Sequence, residues 1–361
     1  MSTVLFTGFP GFLGSELLPR VLARDPAARA ACIVQPKFAA LARRRADEIG
    51  GRHPALANRI DLVEGDITVA GLGLVNGPAR EDVTEVYHLA AVYDLSVGRD
   101  LGLRVNVDGT RNVLDYASQC PALNRLQYVS TCYVSGKYEG VFSEDDLEAG
   151  QQFNNYYEET KYLAEIEVRK RMRAGLPATI YRPAIVVGDS STGATQKYDG
   201  PYYVIRWILR QPAVAFLPVV GDPEVVRLNV VPRDFVVDAI AYLSGIDRSK
   251  GKTYQLADPE PPSIDEMLQL ISRATHHRIV RIPLPINVAK LAIDRVPGVY
   301  RVMGIPSSAV DYFVHPTRYG TANTQADLVG SGVHVPRFAE YVDRLVAFVR
   351  THPEISSAAM V

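Results

Sequence analysis

Tyr157-Glu158-Glu159-Thr160-Lys161 sets a phenol and an ammonium four residues apart. On a helix that spacing puts both side chains on one face. A free tyrosine keeps its proton to about pH 10, and a nearby cation favours the phenolate. Such a pair exchanges a proton with a carbonyl oxygen while hydride reaches the carbon. Ser130-Thr131 supplies hydroxyls directly after the apolar run Leu126–Val129. A hydroxyl there can donate to an oxygen that gains negative charge. Singly these signals are weak: Tyr-x-x-x-Lys recurs by chance, and a strand-end hydroxyl is commonly a cap.

The elements that must position this set alternate between short β-branched runs and amphipathic stretches, as repeated βαβ units do. Val4–Thr7, Ala31–Val34, Ile60–Val63, Glu85–His88, Leu126–Val129 and Thr179–Arg182 read as strands. Phe12–Leu22, a basic stretch from Phe38 to Ile49, Asn106–Ser118 and Asn155–Arg173 read as helices. The alternation predicts an α/β fold, a doubly wound parallel Rossmann sheet with a smaller, mostly helical C-terminal substrate-binding region. The sequence divides into a dinucleotide-binding core over 1–188, an insertion over 189–228, a return to the core over 229–257 and a C-terminal region over 258–361. In the return, Asn229-Val230-Val231 and Thr253–Leu256 read as strands rejoining the sheet.

Thr7-Gly8-Phe9-Pro10-Gly11-Phe12-Leu13-Gly14 lies between the first strand and the first helix. Glycines there permit a tight turn, close approach to a pyrophosphate and close helix packing. The phosphates would then meet the unpaired N–H groups of the helix N-terminus. Asp66-Ile67 follows the third strand, where a carboxylate either accepts from an adenine amino group or caps a turn. His88-Leu89-Ala90-Ala91 ends the fourth strand with small residues against which a cofactor can lie; His88 itself reads as packing. After the second strand an acid would hold the 2′-hydroxyl of NAD, and basic residues the 2′-phosphate of NADP. This chain has Gln35, Lys37 and Arg43-Arg44-Arg45, with no acid before Asp47, which favours NADP(H) over NAD(H). Ordinary solvated helix charge is the alternative reading of the basic run.

Taken in order, these segments resemble the extended short-chain dehydrogenase/reductase family. The matching features are Thr7-Gly8-x-x-Gly11-x-x-Gly14, Asp66, His88–Ala91, Asn106-Val107-x-Gly109-Thr110, Val129-Ser130-Thr131, Tyr157-x-x-x-Lys161 and Arg182-Pro183. The resemblance implies that Thr131 orients substrate, that Tyr157 is the acid/base, and that Lys161 assists it and holds the nicotinamide ribose. It places Asn106 beside the cofactor and Pro183, Ala184, Ile185 and Val186 along the nicotinamide. Asn155-x-Tyr157-x-x-Thr160-Lys161 and Lys197-x-Asp199-Gly200-x-Tyr202-Tyr203 look like the thioester and fatty acyl-CoA reductase branch. That branch reduces acyl thioesters to aldehydes or alcohols with NADPH, and it usually has arginine where this chain has Gln35. A ketone or secondary-alcohol dehydrogenase would use the same residues. A nucleotide-sugar epimerase or dehydratase is disfavoured by Cys132 and Tyr133 after the hydroxyl, and a non-catalytic sensor by retention of Tyr157 and Lys161.

Composition sets the remaining limits. With 39 basic and 40 acidic residues the formal charge is -1, so no global attraction to nucleic acid or anionic membrane is implied. Three sparse cysteines, Cys32, Cys120 and Cys132, fit a reducing cytoplasm and make no metal pattern. His276, His277 and His315 lack a carboxylate or cysteine at ligand spacing, and no metal is expected. No apolar run reaches the ~18 residues that span a bilayer. The expected partner is a small apolar carbonyl or acyl thioester, with a homodimer left open. Leu284, Ile286, Val288, Leu291 and Ile293, Pro297–Tyr300 and Tyr312-Phe313 hint at an apolar pocket, though ordinary packing explains most of them.

Overall fold

The computed structural model describes residues 2–296 and 305–356. Pro297–Tyr300 and the extreme C-terminus lie outside that range. The strands in chain order are β1 Thr3–Thr7, β2 Arg29–Val34, β3 Ile60–Glu64, β4 Val83–His88, β5 Arg125–Val129, β6 Gly140–Phe142 and β7 Ala178–Pro183. They continue as β8 Ile185–Val187, β9 Val214–Val219, β10 Val230–Pro232, β11 Thr253–Leu256, β12 Arg278–Pro283 and β13 Thr317–Tyr319. Seven of them form one parallel sheet in the order β11-β7-β5-β4-β1-β2-β3. The chain winds outward in opposite directions from β1 and β4, so a crevice opens at their carboxyl ends, the position where such sheets bind ligands.

Both faces of the sheet are covered, which is why β1, β2, β5, β7 and β11 are buried along nearly all their length. Successive residues alternate between two cores. Phe6, Cys32, Tyr87 and Tyr181 pack with α1 (Gly14–Ala23) and α7 (Arg233–Ser244) on one face. Leu5, Ile33, Val86 and Ile180 pack with α4 (Gly109–Ser118) and α5 (Tyr156–Arg173) on the other.

Between these helix pairs run α2 (Ala39–Arg52) and α3 (Arg99–Gly102). The expected single helix from Asn106 to Ser118 starts earlier and is broken. It begins at Arg99, and Leu103–Asp108 forms a π-turn before α4. Within that turn the Asn106 side-chain amide accepts from the Val92 N–H at 2.8 Å and donates to the Thr160 hydroxyl at 3.0 Å.

A second core joins α6 (Pro201–Leu209), α8 (Ile264–Thr275) and the helix Phe338–Thr351, through Tyr202, Ile205, Ile271, Tyr341 and Leu345. A Ser263–Glu266 capping box starts α8. The run Val214–Val219 is a strand despite Pro218, and it pairs in parallel with β12 in the C-terminal region. The chain that precedes β10 is therefore tied to the chain that follows α8. The run at Asn229–Val231 does not rejoin the main sheet as expected: β10 pairs with β8, in a two-stranded ladder beyond the end of β7. Pro183 ends β7, Ala184 turns the chain, and Ile185 starts the new pairing. Among the described residues no helix is long and apolar enough to cross a membrane.

Candidate active site

The glycine loop occupies the crevice between β1 and α1. Gly8 lies at φ +89°, and a Cβ there would come within 2.8 Å of the Leu89 backbone. A Cβ at Gly11 would come within 2.7 Å of the Gly8 carbonyl, and one at Gly14 would collide with the same oxygen. Side chains at these points would fill the cradle, and only glycine leaves it open to a phosphate. No side chain caps the start of α1; its Ser15 and Leu17 amides donate to the Gly11 and Leu13 carbonyls at 2.9 Å. Thr7 ties the loop to its neighbour: its hydroxyl accepts from the Leu89 and Ala90 amides at 3.2 Å. It also lies 2.8 Å from His88 Nδ1, whose Nε2 meets Thr110 at 3.0 Å. Burial, then the Lys161 charge, drives the His88 ring down to about 3, so it stays a neutral hydrogen-bonding brace. These residues fit a dinucleotide.

The residues beyond the phosphates are distributed unevenly. The Gln35 amide donates to Asp66 at 2.9 Å, and the other Asp66 oxygen accepts from the Thr68 amide and hydroxyl at 2.8 Å. Asp66 thus closes a turn and fixes Gln35 at the same time. Ile67 is buried beneath Gly109. Lys37 and Arg44 are exposed, the Lys37 ammonium resting 5.0 Å from the Phe38 ring centroid.

The chemical set gathers where β5 ends. Lys161 Nζ donates to the Val129 carbonyl at 2.8 Å and to the Tyr128 phenol at 3.2 Å. Burial lowers its pKa to about 8, against a smaller opposing pull from Glu165. Thr131 starts a short 3₁₀ turn, its oxygen accepting from the Tyr133 amide at 3.3 Å. Burial raises the Tyr157 pKa above its ordinary value, and the neighbouring Thr131 hydroxyl only partly offsets this. The sequence-based expectation of a phenol lowered by its cationic neighbour is therefore reversed here: Lys161 is turned to the Val129 carbonyl and the Tyr128 phenol, and burial keeps the proton on the Tyr157 oxygen. A phenol that keeps its proton is set up to donate one.

One side of the set is not legible in the sequence as a unit. Tyr93 meets the Tyr157 ring edge-on at 5.1 Å. Tyr133 meets Tyr312 at 4.8 Å, His315 at 5.2 Å and Tyr319 at 6.1 Å. The Tyr312 phenol donates to buried Glu158 at 2.8 Å, and His315 Nε2 lies 2.9 Å from the Tyr319 phenol. In the sequence Tyr312 and His315 stand apart, the one as packing and the other as a histidine without metal partners. Only the fold brings residues 93, 133 and 312–319 together. Lys197, 3.3 Å from Asp199, covers the Tyr93 ring at 4.6 Å. Below the set, Glu165 accepts from Ser130 at 2.6 Å and pairs with Arg182 at 2.6 Å, with both partners fully buried.

The chain has relatives among known proteins. Residues 6–240 match the NAD-binding family described as male sterility protein. Glycine betaine reductase ATRR of Emericella nidulans is 30% identical over 278 residues, covering 72% of this chain and 21% of the relative. Aldehyde reductase lnbA of Aspergillus flavus is 24% identical over 310 residues, covering 81% of this chain and 30% of the relative. The chain therefore spans less than a third of either relative's length. The terminal R domain from the myxalamid PKS-NRPS biosynthetic pathway superposes with a TM-score of 0.82 at 28% identity, over 98% of this chain and 91% of that one.

Proposed function

Because this chain belongs to the NAD-binding male sterility protein family, we propose that it uses NADP(H) to reduce an apolar acyl thioester or its aldehyde. Membership makes it an NAD(P)-dependent oxidoreductase of the extended short-chain dehydrogenase/reductase type, in the thioester reductase branch. It binds a nicotinamide dinucleotide. In the proposal, residues 1–188 and 229–257 carry that cofactor, and 189–228 with 258–361 shape the substrate side. Gly8, Gly11 and Gly14 hold its phosphates, Asp66 the adenine end, and Lys161 with Asn106 and Pro183–Val186 the nicotinamide end.

The single observation that carries the reading is the gathering of three buried groups where β5 ends: the Thr131 hydroxyl, the Tyr157 phenol that burial keeps protonated, and the Lys161 ammonium held by the Val129 carbonyl. When bound, the reduced cofactor supplies hydride. Thr131 and Tyr157 donate hydrogen bonds to the carbonyl oxygen as it becomes an oxyanion. With an aldehyde, Tyr157 passes its proton to that oxygen and Lys161 stabilises the phenolate left behind. With a thioester, the oxyanion collapses, the carbon–sulfur bond breaks, and the thiolate leaves with the electron pair and takes a proton. Incubation with NADPH and a medium-to-long acyl-CoA is expected to release free thiol in step with cofactor oxidation. If no thiol appears while ketones or secondary alcohols turn over, a ketone/alcohol dehydrogenase replaces this reading.

NADPH is expected to exceed NADH in kcat/KM. Lys37 and the Arg43–Arg45 run are exposed or half-exposed near the end of β2, and Gln35, held by Asp66, brings no charge against a 2′-phosphate. A ratio below one would assign Gln35 to the 2′-hydroxyl of NAD and leave the basic residues as solvated surface.

A further inference from the structure

A cavity of about 710 Å³ shares Tyr319 with the catalytic wall. Tyr319 lines it on one side, while its ring lies 6.1 Å from Tyr133 and its phenol 2.9 Å from His315. Behind Tyr319, His315 Nδ1 is buried without a hydrogen-bond partner among the described residues. Four guanidiniums from separate segments line the cavity: Arg227 ahead of β10, Arg273 on α8, Arg318 on β13 and Arg337 at the start of the last helix. Three carboxylates, Asp258, Glu260 and Glu266, oppose them, so cations outnumber anions by one.

The pairing is unequal. Arg337 is held by Glu260 at 2.6 Å and Asp258 at 3.2 Å. Arg227 donates to the Pro261 carbonyl at 2.7 Å and lies 3.8 Å from Glu266. Among the described residues the Arg273 and Arg318 side chains have no ion-pair or hydrogen-bond partner. Exposed arginines on a convex surface are simply hydrated. Here the two unpaired ones face a concave wall stiffened by Pro259, Pro261 and Pro262. Paired guanidinium forks in a concavity match the geometry of a phosphate.

We propose that this cavity binds the phosphate ester at the far end of the pantetheine arm of an acyl thioester, with Arg273 and Arg318 as its ligands. The idea rests on the thioester reading above. An acyl group carried on coenzyme A or on a carrier protein is joined through pantetheine to a phosphate. With Tyr319 shared between the cavity and the Tyr133 wall, the site would anchor that end while the thioester carbonyl lies at Thr131 and Tyr157. The anchor explains why an otherwise solvent-seeking pair of arginines is kept unpaired beside the substrate wall.

The test compares acyl-CoA, acyl-phosphopantetheine and the phosphate-free acyl-N-acetylcysteamine on wild type and on the Arg273→Ala/Arg318→Ala variant. Both residues are exposed, so the variant is expected to fold. The KM for the two phosphate-bearing thioesters should rise about tenfold or more, the size of one lost charge-assisted hydrogen bond, while the phosphate-free thioester is unchanged. Inorganic phosphate should compete with acyl-CoA on wild type and lose that effect on the variant. Equal changes for all three substrates, no change for any, or an effect confined to acyl-CoA would each overturn the proposal. Calorimetric binding of phosphopantetheine needs no turnover. Binding that the variant loses, in a protein that releases no thiol from any thioester, would keep the phosphate site and reject the thioester reading.

Discussion

Replacing Tyr157 by phenylalanine is expected to cut hydride transfer by about 10²–10⁴ while cofactor affinity stays near that of the parent. The substitution removes one oxygen and leaves the ring that packs edge-on against Tyr93 at 5.1 Å. Thr131 and Lys161 remain, so the oxyanion still finds one donor and the ribose its ammonium. What is lost is a phenol that burial keeps protonated, hence the proton for the aldehyde oxygen and half of the donor pair. Steady-state reduction of an aldehyde, read beside fluorescence titration with NADPH, checks both halves. Turnover within a factor of two of wild type would remove Tyr157 from the chemistry.

Replacing Arg182 by methionine is expected to cost about 3–5 kcal/mol, the range for stranding one partner of a buried ion pair. Glu165 and Arg182 are both at 0% exposure and 2.6 Å apart, and Glu165 also accepts from Ser130 and Arg169. Burial, the largest effect, would raise the Glu165 carboxyl, but Arg182, Arg169 and Ser130 together outweigh it and hold it below its ordinary 4.5. A carboxyl lowered on folding adds stability above the unfolded value and loses it as pH falls. The contribution is thus complete at neutral pH and fades below pH 4.5. Chemical denaturation at pH 7 measures the loss. A second variant, Glu165→Leu with Arg182→Met, should recover much of it, because no charge is then left buried. A single variant as stable as the parent would show that water reaches Glu165.

The fold was legible because its signals are local. Glycines between an apolar run and a helix, and parallel strands buried on both faces, leave a pattern within a few residues, as at Val4–Gly14. The parts that escaped are set by partners distant in the chain. β9 reads as an apolar stretch broken by Pro218, and nothing nearby announces β12 as its partner 60-odd residues on. The same holds for the Tyr133 wall, whose members come from three segments, and for the Tyr157 pKa. The sequence shows the helical neighbour Lys161 but neither the burial that raises the phenol nor the Val129 carbonyl that holds the ammonium. Asp66 was readable as either a turn cap or an adenine partner. The structure accounts for the turn and adds the Gln35 contact, which no spacing rule contains.

The π-turn at Leu103–Asp108 has a consequence for how this stretch tolerates change in length. A π-turn holds one residue more than the α-helix it interrupts. Deleting a single residue between Leu103 and Val105 would let the helix run on as a plain α-helix without breaking it, a mild event by most measures of stability. Each residue of an α-helix, however, advances the chain by about 100°. The deletion would swing Asn106 off the Val92 backbone and the Thr160 hydroxyl, and with it the contact between that helix and the start of α5. A protein so shortened would keep its shape and lose its aim. In this segment the number of residues therefore sets the aim of Asn106 more than their identities do.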